Sequence, residues 1–323
     1  MKLSALVVGL LLVSSCEKSG PAEMNESGAP SKDESALLQY LPPGSTALFG
    51  GNYMKFQNFL QNSPLAKVMA SLDKSSPGIN EWMKCWIDFS DIKMLGSVAI
   101  KTGAAEMRFA MTGVTFAQLE TCAKRASFTS VIDPDNKYMG FEMPTAAGTM
   151  KTGYLLLPSG AIYTRQAIPL KQPMVPAPVV RADLEADMAA LASGTAEKDT
   201  ALIAAMKKVD RKKAMWFVGS GAGTPVSDKL GLVSGTFDLA TGLAMDVSAE
   251  LKQSALADKI EQGVAEAKKQ VDKIGGATGE VVKALQVSRK GDTIRMVLSI
   301  SNDQLTAMMA QLGPMMGGMG GRP

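Results

Sequence analysis

The sequence predicts an α+β fold with two similar lobes, each an antiparallel sheet with helices packed on one face. Short apolar stretches of alternating polarity occur in adjacent pairs joined by tight turns, which is the pattern of β-hairpins. The order hairpin, helix, hairpin also occurs once in each half of the chain, although the halves share few identical residues. At 323 residues the chain is long enough for more than one hydrophobic core.

The first sixteen residues have the features of a secretory signal. Lys2 is followed by an apolar run over residues 3–13 that is too short to span a bilayer, which takes about 20 residues. The ending Val13-Ser14-Ser15-Cys16 resembles the lipobox of bacterial lipoproteins. That resemblance implies removal of residues 1–15, acylation of Cys16 and anchoring of the protein in a lipid bilayer of the cell envelope. Glu17 follows Cys16 where aspartate would favour the inner membrane, so the outer membrane is favoured.

The next stretch, residues 16–36, is expected to be a disordered tether. It is rich in Gly, Pro, Ser and Glu and has no periodic apolar pattern, so it cannot bury enough apolar surface to fold. The rest of the chain divides by composition into four predicted regions. These are a first lobe at 37–171, a proline-containing connector at 172–192, a second lobe at 193–312 and a disordered tail at 313–323.

The first lobe is predicted to contain a short strand, three helices, and then one hairpin-helix-hairpin unit. The strand is at 46–49, the helices lie within 53–72 and at 79–86, and the unit has strands at 95–101, 106–113, 129–132 and 138–143 around a helix at 115–125. Thr115 and Gln118 have the spacing of a capping box at the start of that helix. In the second strand Met107, Phe109 and Met111 alternate with Arg108, Ala110 and Thr112, which predicts one buried and one exposed side.

The second lobe repeats the order. Strands at 230–239 and 243–251 precede a long helix at 255–274, whose apolar residues recur at intervals of three and four and form one stripe. A short helix at 280–284, a hairpin of 285–288 with 293–300, and a final helix at 303–312 complete the lobe. A further apolar strand is predicted at 214–218.

Two cysteines, Cys85 and Cys122, remain after Cys16 is acylated. A cysteine pair in an oxidising compartment normally forms a disulfide, so a bridge within the first lobe is favoured. Two buried free thiols are the alternative.

The composition excludes several functional classes. The chain contains no histidine, which removes the usual Ser-His-Asp and Cys-His nucleophile systems and the histidine-based zinc and copper sites. With 34 basic and 31 acidic side chains and no basic stripe, it lacks the footprint of a nucleic-acid partner. No cofactor is predicted.

Four local patterns could carry chemistry, and each has a simpler structural interpretation. The glycine-rich loop 219–223 follows a strand but lacks the remaining residues of a phosphate-binding loop, so a turn is favoured. Asp133, Asp135, Asn136 and Glu142 lack the central glycine of a calcium loop, so a turn is again favoured. Trp82 and Trp86 lie one helical turn apart and could stack on a ligand, but core packing is more common.

The fourth pattern is the Gly- and Met-rich tail. Met315, Met316 and Met319 are thioethers that could capture Cu(I), a soft ion. A disordered terminus without function is the favoured interpretation.

The lipobox, the paired halves, Cys85 with Cys122 and the segment 208–217 are together similar to secreted lipoproteins of the kind seen in myxobacteria. The resemblance implies an envelope lipoprotein and no particular activity. We therefore expect a non-catalytic binding or structural protein whose partners are the bilayer, through Cys16, and an envelope protein or ligand. The alternative is a carrier of an apolar, lipid-like ligand, since methionine-rich sheet faces adapt to lipids. An enzyme without histidine is the third hypothesis.

Overall fold

Twelve strands of the described residues form one antiparallel sheet in the computed structural model. The structure describes residues 31–52, 55, 78–87, 89, 92–101, 104–145, 148–169, 177–221, 227–240, 242–271 and 275–308. The strands, numbered along the chain, are β1 (Ala47–Asn52), β2 (Lys93–Lys101), β3 (Ala104–Thr112), β4 (Thr129–Ile132), β5 (Tyr138–Thr145), β6 (Gly148–Leu156), β7 (Ile162–Pro169), β8 (Met215–Ser220), β9 (Leu230–Asp238), β10 (Gly242–Leu251), β11 (Gln286–Lys290) and β12 (Thr293–Ser301). Their order across the sheet is β11-β12-β10-β9-β8-β1-β2-β3-β7-β6-β5-β4.

The α-helices of the described residues are α1 (Lys32–Leu38), α2 (Ile79–Ile87), α3 (Phe116–Arg125), α4 (Arg181–Ala190), α5 (Thr200–Met206), α6 (Ser254–Lys269), α7 (Gly276–Ala284) and α8 (302–308). The start of α3 confirms the predicted capping box. The Thr115 side chain accepts a hydrogen bond from the Gln118 amide, and the Gln118 side chain accepts one from the Thr115 amide. These bonds satisfy donors that the first turn of a helix leaves open.

The fold is α+β as predicted, but the two expected sheets are one. β1 pairs with β2 on one side and with β8 on the other, so that Leu48 lies opposite both Ser97 and Val218. The strand predicted to open the first lobe therefore joins the two halves edge to edge. The predicted separation into two lobes is not what the sheet shows.

Helices cover both faces of the sheet, which corrects the prediction of helices on one face. Successive residues of a strand point to opposite faces, and Ala110 and Met111 belong to different hydrophobic cores. We call the face of Ala110 the A face and the face of Met111 the B face. The A-face core contains α1, α4 and α5 through Leu37, Leu184 and Met206.

The B face carries two groups of helices. α2 and α3 pack on β3, β5 and β7, with Leu119 of α3 fully buried. In the other half Phe217 lies on the B face, because its neighbours Trp216 and Val218 belong to the A-face core, and it packs in a cluster with Val264 of α6. Because the central strands are covered on both faces, a polar residue that alternates with apolar ones in them need not be exposed to solvent.

Arg108 is a charged residue that the cover on both faces of the sheet buries. The alternation predicted that it lies on the exposed side of β3, but its residue is 6% exposed beneath α4. The buried charge is compensated by Asp187 of that helix, as described below.

Two helices lie in regions that were predicted to be a tether or a connector, and α5 lies in the second lobe where no element was predicted. α1 occupies the end of the expected tether at 16–36, and α4 occupies part of the expected connector at 172–192. The predicted signal at 1–15 and the tail at 313–323 lie outside the described residues, as do the helices predicted within 53–72 apart from Lys55.

Candidate functional site

A cavity of about 260 Å³ lies on the B face between α2 and the sheet. Four methionines, four aromatic side chains and a short polar border line it. The lining residues are Trp82, Trp86, Met94, Phe109, Met111, Met143, Met150, Thr152, Tyr154, Thr164, Arg165 and Gln166. The cavity is therefore mainly apolar, with a few polar groups, as small-molecule sites commonly are.

The helix α2 supplies the aromatic wall. The ring centroids of Trp82 and Trp86 lie 5.8 Å apart, and Trp82 contacts Phe141 edge-on at 5.1 Å and Phe128 at 5.6 Å. Such tilted and edge-to-face pairs add stabilisation beyond buried area. Trp82 and Trp86 thus pack against the core, as the favoured interpretation predicted, and also line the cavity.

A disulfide holds this wall in place. Cys85 of α2 and Cys122 of α3 are bonded, with Cα atoms 5.4 Å apart, so the predicted bridge is confirmed. Both cysteines are buried in the B-face core. The bond therefore fixes α2 against α3, which is itself packed on the sheet.

Methionines line the sheet side of the cavity in two opposed pairs. Met94 of β2 lies opposite Met111 of β3, and Met143 of β5 lies opposite Met150 of β6. Unbranched thioether chains adapt their rotamers to irregular neighbours. The sheet side can therefore mould to a bound apolar group.

The polar border lies on β6 and β7. The Thr164 hydroxyl donates to the Gly153 carbonyl at 2.6 Å, and Gln166 Nε2 approaches Met150 Sδ at 3.9 Å. Burial raises the pKa of Tyr154 to about 12, so this phenol stays neutral near physiological pH. The border offers several neutral polar groups, one charged residue, Arg165, and no carboxylate.

A buried polar cluster occupies the A face beneath α4. Arg108 Nε and Nη2 donate to Asp187 at 3.2 and 3.3 Å, and Nη2 also donates to Glu106 at 2.7 Å. The Tyr163 hydroxyl donates to Asp187 at 2.8 Å, and Arg165 lies 3.4 Å from the same carboxylate. Burial opposes the charged form of Arg108, but its bonds to Asp187 raise the Arg108 pKa overall. Burial and the Asp187 charge raise the pKa of Tyr163 far above its ordinary value.

The calcium-loop pattern resolves into an ion-paired turn between β4 and β5. Arg181 of α4 donates to Asp133 at 2.9 Å and to Asp135 at 2.8 Å. The turn interpretation is confirmed. In the glycine-rich loop, Gly219 and Ser220 belong to β8 rather than to a turn, and 222–226 lie outside the described residues.

The remaining predicted site residues, Cys16 and Met315, Met316 and Met319, also lie outside the described residues. Within the described ranges, no three acidic, cysteine or histidine side chains are grouped to hold a metal ion. None of the helices that these ranges form has the length and apolarity to traverse a bilayer.

No protein-family model matches the chain, and no curated protein matches it by sequence. The fold resembles crystal structures of TP0453, a membrane-associated lipoprotein of Treponema pallidum. Crystal form I has a TM-score of 0.45 and 10% identity, covering 85% of this chain and 97% of that chain. Crystal form III has a TM-score of 0.47 and 9% identity, covering 85% and 98%. The similarity is one of fold and identifies no family.

Proposed function

We propose that this protein is a lipid-anchored, non-catalytic binding protein of the bacterial cell envelope that holds an apolar ligand in the cavity under α2. The anchor is Cys16, from the lipobox at residues 13–16. The outer membrane is the proposed location, because Glu17 follows Cys16. The observation that carries the binding role is the methionine- and aromatic-lined cavity.

The size and shape of the cavity favour a compact or chain-like ligand. Its volume of about 260 Å³ is just below the range of about 300–1,000 Å³ typical of ligand pockets. Along β6 the lining extends from Met150 through Thr152 to Tyr154. Four residues of strand correspond to about 13 Å. A segment of an acyl chain fits these dimensions, whereas a whole phospholipid is too large.

The polar cluster on the A face supports a structural role for its carboxylates. Asp187 and Glu106 are each bonded to Arg108, so neither is placed as a general acid or base with a poised proton. Among the residues that line the cavity, Arg165 alone is charged and none is a carboxylate. We therefore propose no catalytic step.

Tryptophan quenching by a brominated fatty acid tests the proposal. Of the three tryptophans, Trp82 and Trp86 line the cavity and Trp216 lies in the A-face core. Bromine quenches indoles at close range, so we expect saturable quenching of part of the emission and an unquenched fraction from Trp216.

Two variants of β6 make the test specific. Thr152→Phe fills the cavity and should weaken quenching, whereas Thr149→Phe adds the same ring at an exposed position of the same strand and should not. Equal quenching of wild type and Thr152→Phe, or no quenching of wild type, would contradict the proposed ligand site.

A further inference from the structure

The point at which the chain enters the folded body is fixed by α1. The Ser31 hydroxyl accepts a hydrogen bond from the Glu34 amide, and the Glu34 carboxylate accepts one from the Ser31 amide. Leu37 and Leu38 are 2% and 1% exposed in the A-face core. The predicted tether therefore joins the body at residue 31, fifteen residues beyond Cys16.

Ion pairs place this entry point at one end of the sheet. Asp33 pairs with Lys93, the first residue of β2, and Glu34 Oε1 lies 3.2 Å from Arg211 Nε. Arg211 belongs to the loop 207–213 that leads into β8. Lys55 Nζ reaches the carbonyl of Lys212 in the same loop at 3.3 Å.

Six exposed lysines surround the entry point, and we call them the basic rim. They are Lys32, Lys55, Lys93, Lys207, Lys208 and Lys212. The loop 207–213 reads Lys-Lys-Val-Asp-Arg-Lys-Lys, five basic residues with one acidic, in a chain whose whole net charge is +3. The other two basic residues of the loop form ion pairs within the body. Arg211 pairs with Glu34, and Lys213 Nζ lies 2.8 Å from Asp238 Oδ2.

We propose that the basic rim rests on anionic lipid headgroups of the membrane that holds the anchor. The proposal rests on the anchoring part of the proposed function. A random coil of fifteen residues, the length of the predicted tether up to residue 31, has a root-mean-square reach of about 21 Å. The anchor would therefore hold the entry point nearest the bilayer. Lysines within a Debye length of about 8–10 Å of an anionic surface are attracted to it.

This contact would orient the folded body relative to the bilayer. Several acyl chains already retain a lipoprotein on the membrane, so the rim need not add retention. With the rim on the bilayer, the cavity end formed by Met94 and Met111 points toward the membrane. Met94 adjoins Lys93 in β2, and Thr112, next to Met111, lies opposite Lys93 in β3. That orientation suits the uptake of an apolar ligand from the bilayer.

Vesicle cosedimentation tests the rim without the anchor. The mature chain from residue 16, carrying Cys16→Ser so that no acyl group contributes, is mixed with phosphatidylcholine vesicles or with vesicles that also contain phosphatidylglycerol. We expect binding to the anionic vesicles alone, weakened by salt. Each lysine near an anionic surface contributes about fivefold, so Lys207→Gln with Lys208→Gln and Lys212→Gln should weaken binding on the order of 100-fold.

Two matched triple variants complete the test. Changing Lys207, Lys208 and Lys212 to arginine keeps the charge and should keep binding, which separates charge from misfolding. Glutamine at Lys137, Lys259 and Lys268, exposed lysines on the β4–β5 turn and α6, removes the same charge elsewhere and should leave binding near wild type. The proposal would be overturned if the control variant lost as much vesicle binding as the rim variant, if the protein bound both vesicle types equally, or if it bound neither. None of these outcomes depends on acylation or on a ligand in the cavity.

Discussion

Cys85 and Cys122 join α2 to α3 through a disulfide whose Cα atoms are 5.4 Å apart, and α2 carries the two tryptophans of the cavity wall. The bond closes a loop of 37 residues that contains β2 and β3. The same bond therefore contributes to stability and to the shape of the proposed ligand site.

Replacing both cysteines by alanine should lower the free energy of unfolding by about 4 kcal/mol, the loop-closure value for this length, less any native strain. α2 should also loosen, exposing Trp82 and shifting tryptophan emission to longer wavelength. Urea unfolding followed by fluorescence measures both effects. An unchanged midpoint and an unchanged emission maximum would show that the disulfide does not support the cavity wall.

Replacing Asp187 by alanine should cost about 1–3 kcal/mol of unfolding free energy, because Arg108 Nε and the Tyr163 hydroxyl then lose their buried acceptor, although Glu106 still pairs with Arg108 Nη2. Glu185→Ala is the matched control on the same helix. Glu185 pairs with Arg181 on the surface, where such a pair contributes only about 0–1 kcal/mol. Similar losses of unfolding free energy in the two variants would show that the buried Arg108–Asp187 pair stabilises the fold no more than a surface pair does.

The pH dependence of stability should contain a contribution from Tyr154. Burial raises its pKa to about 12 in the native state, whereas an unfolded tyrosine titrates near 10. The contribution is complete below about pH 10. Between about pH 10 and 12 the unfolded chain loses a proton that the native chain keeps, so stability falls. Tyr154→Phe removes this fall, so between about pH 10 and 12 the unfolding free energy of wild type should decrease relative to that of the variant, by about 3 kcal/mol at most. Parallel curves would refute the assignment.

Deletion of residues 313–323 should change the melting temperature little. Five of these eleven residues are glycine, so ordering them would cost entropy without burying apolar surface. Calorimetry of the truncated chain measures the effect. A clear drop in melting temperature would show that the tail packs on the body.

Much of the local structure was predictable because its signals are local. The Thr115 and Gln118 capping box located α3, and tight turns located the hairpins of both halves. The single sheet was not predictable, because β1 meets β8 through Ala47 and Gly219, which are far apart in sequence. No local pattern specifies such a pairing.

β6 and β7, which carry the polar border of the cavity, were missed for different physical reasons. In β6 the alternation of Met150, Thr152 and Tyr154 is weakened by Gly153, which is required because the Tyr138 ring lies where a Cβ would be. β7 begins with Ile162 and Tyr163 buried on opposite faces, so it shows no alternation. The disulfide was predictable from two remaining cysteines in a chain with a secretory signal, whereas the cavity depends on the packing of α2 on the sheet.

Native mass spectrometry of the protein extracted from its own membranes tests whether the chain is both lipid-anchored and loaded with an apolar ligand. We expect a chain that begins at an acylated Cys16 and carries an additional apolar mass, which is lost on denaturation. Thr152→Phe should carry less of that mass, and Thr149→Phe should carry as much as wild type. An unacylated Cys16, or a wild-type chain without bound mass, would contradict the account.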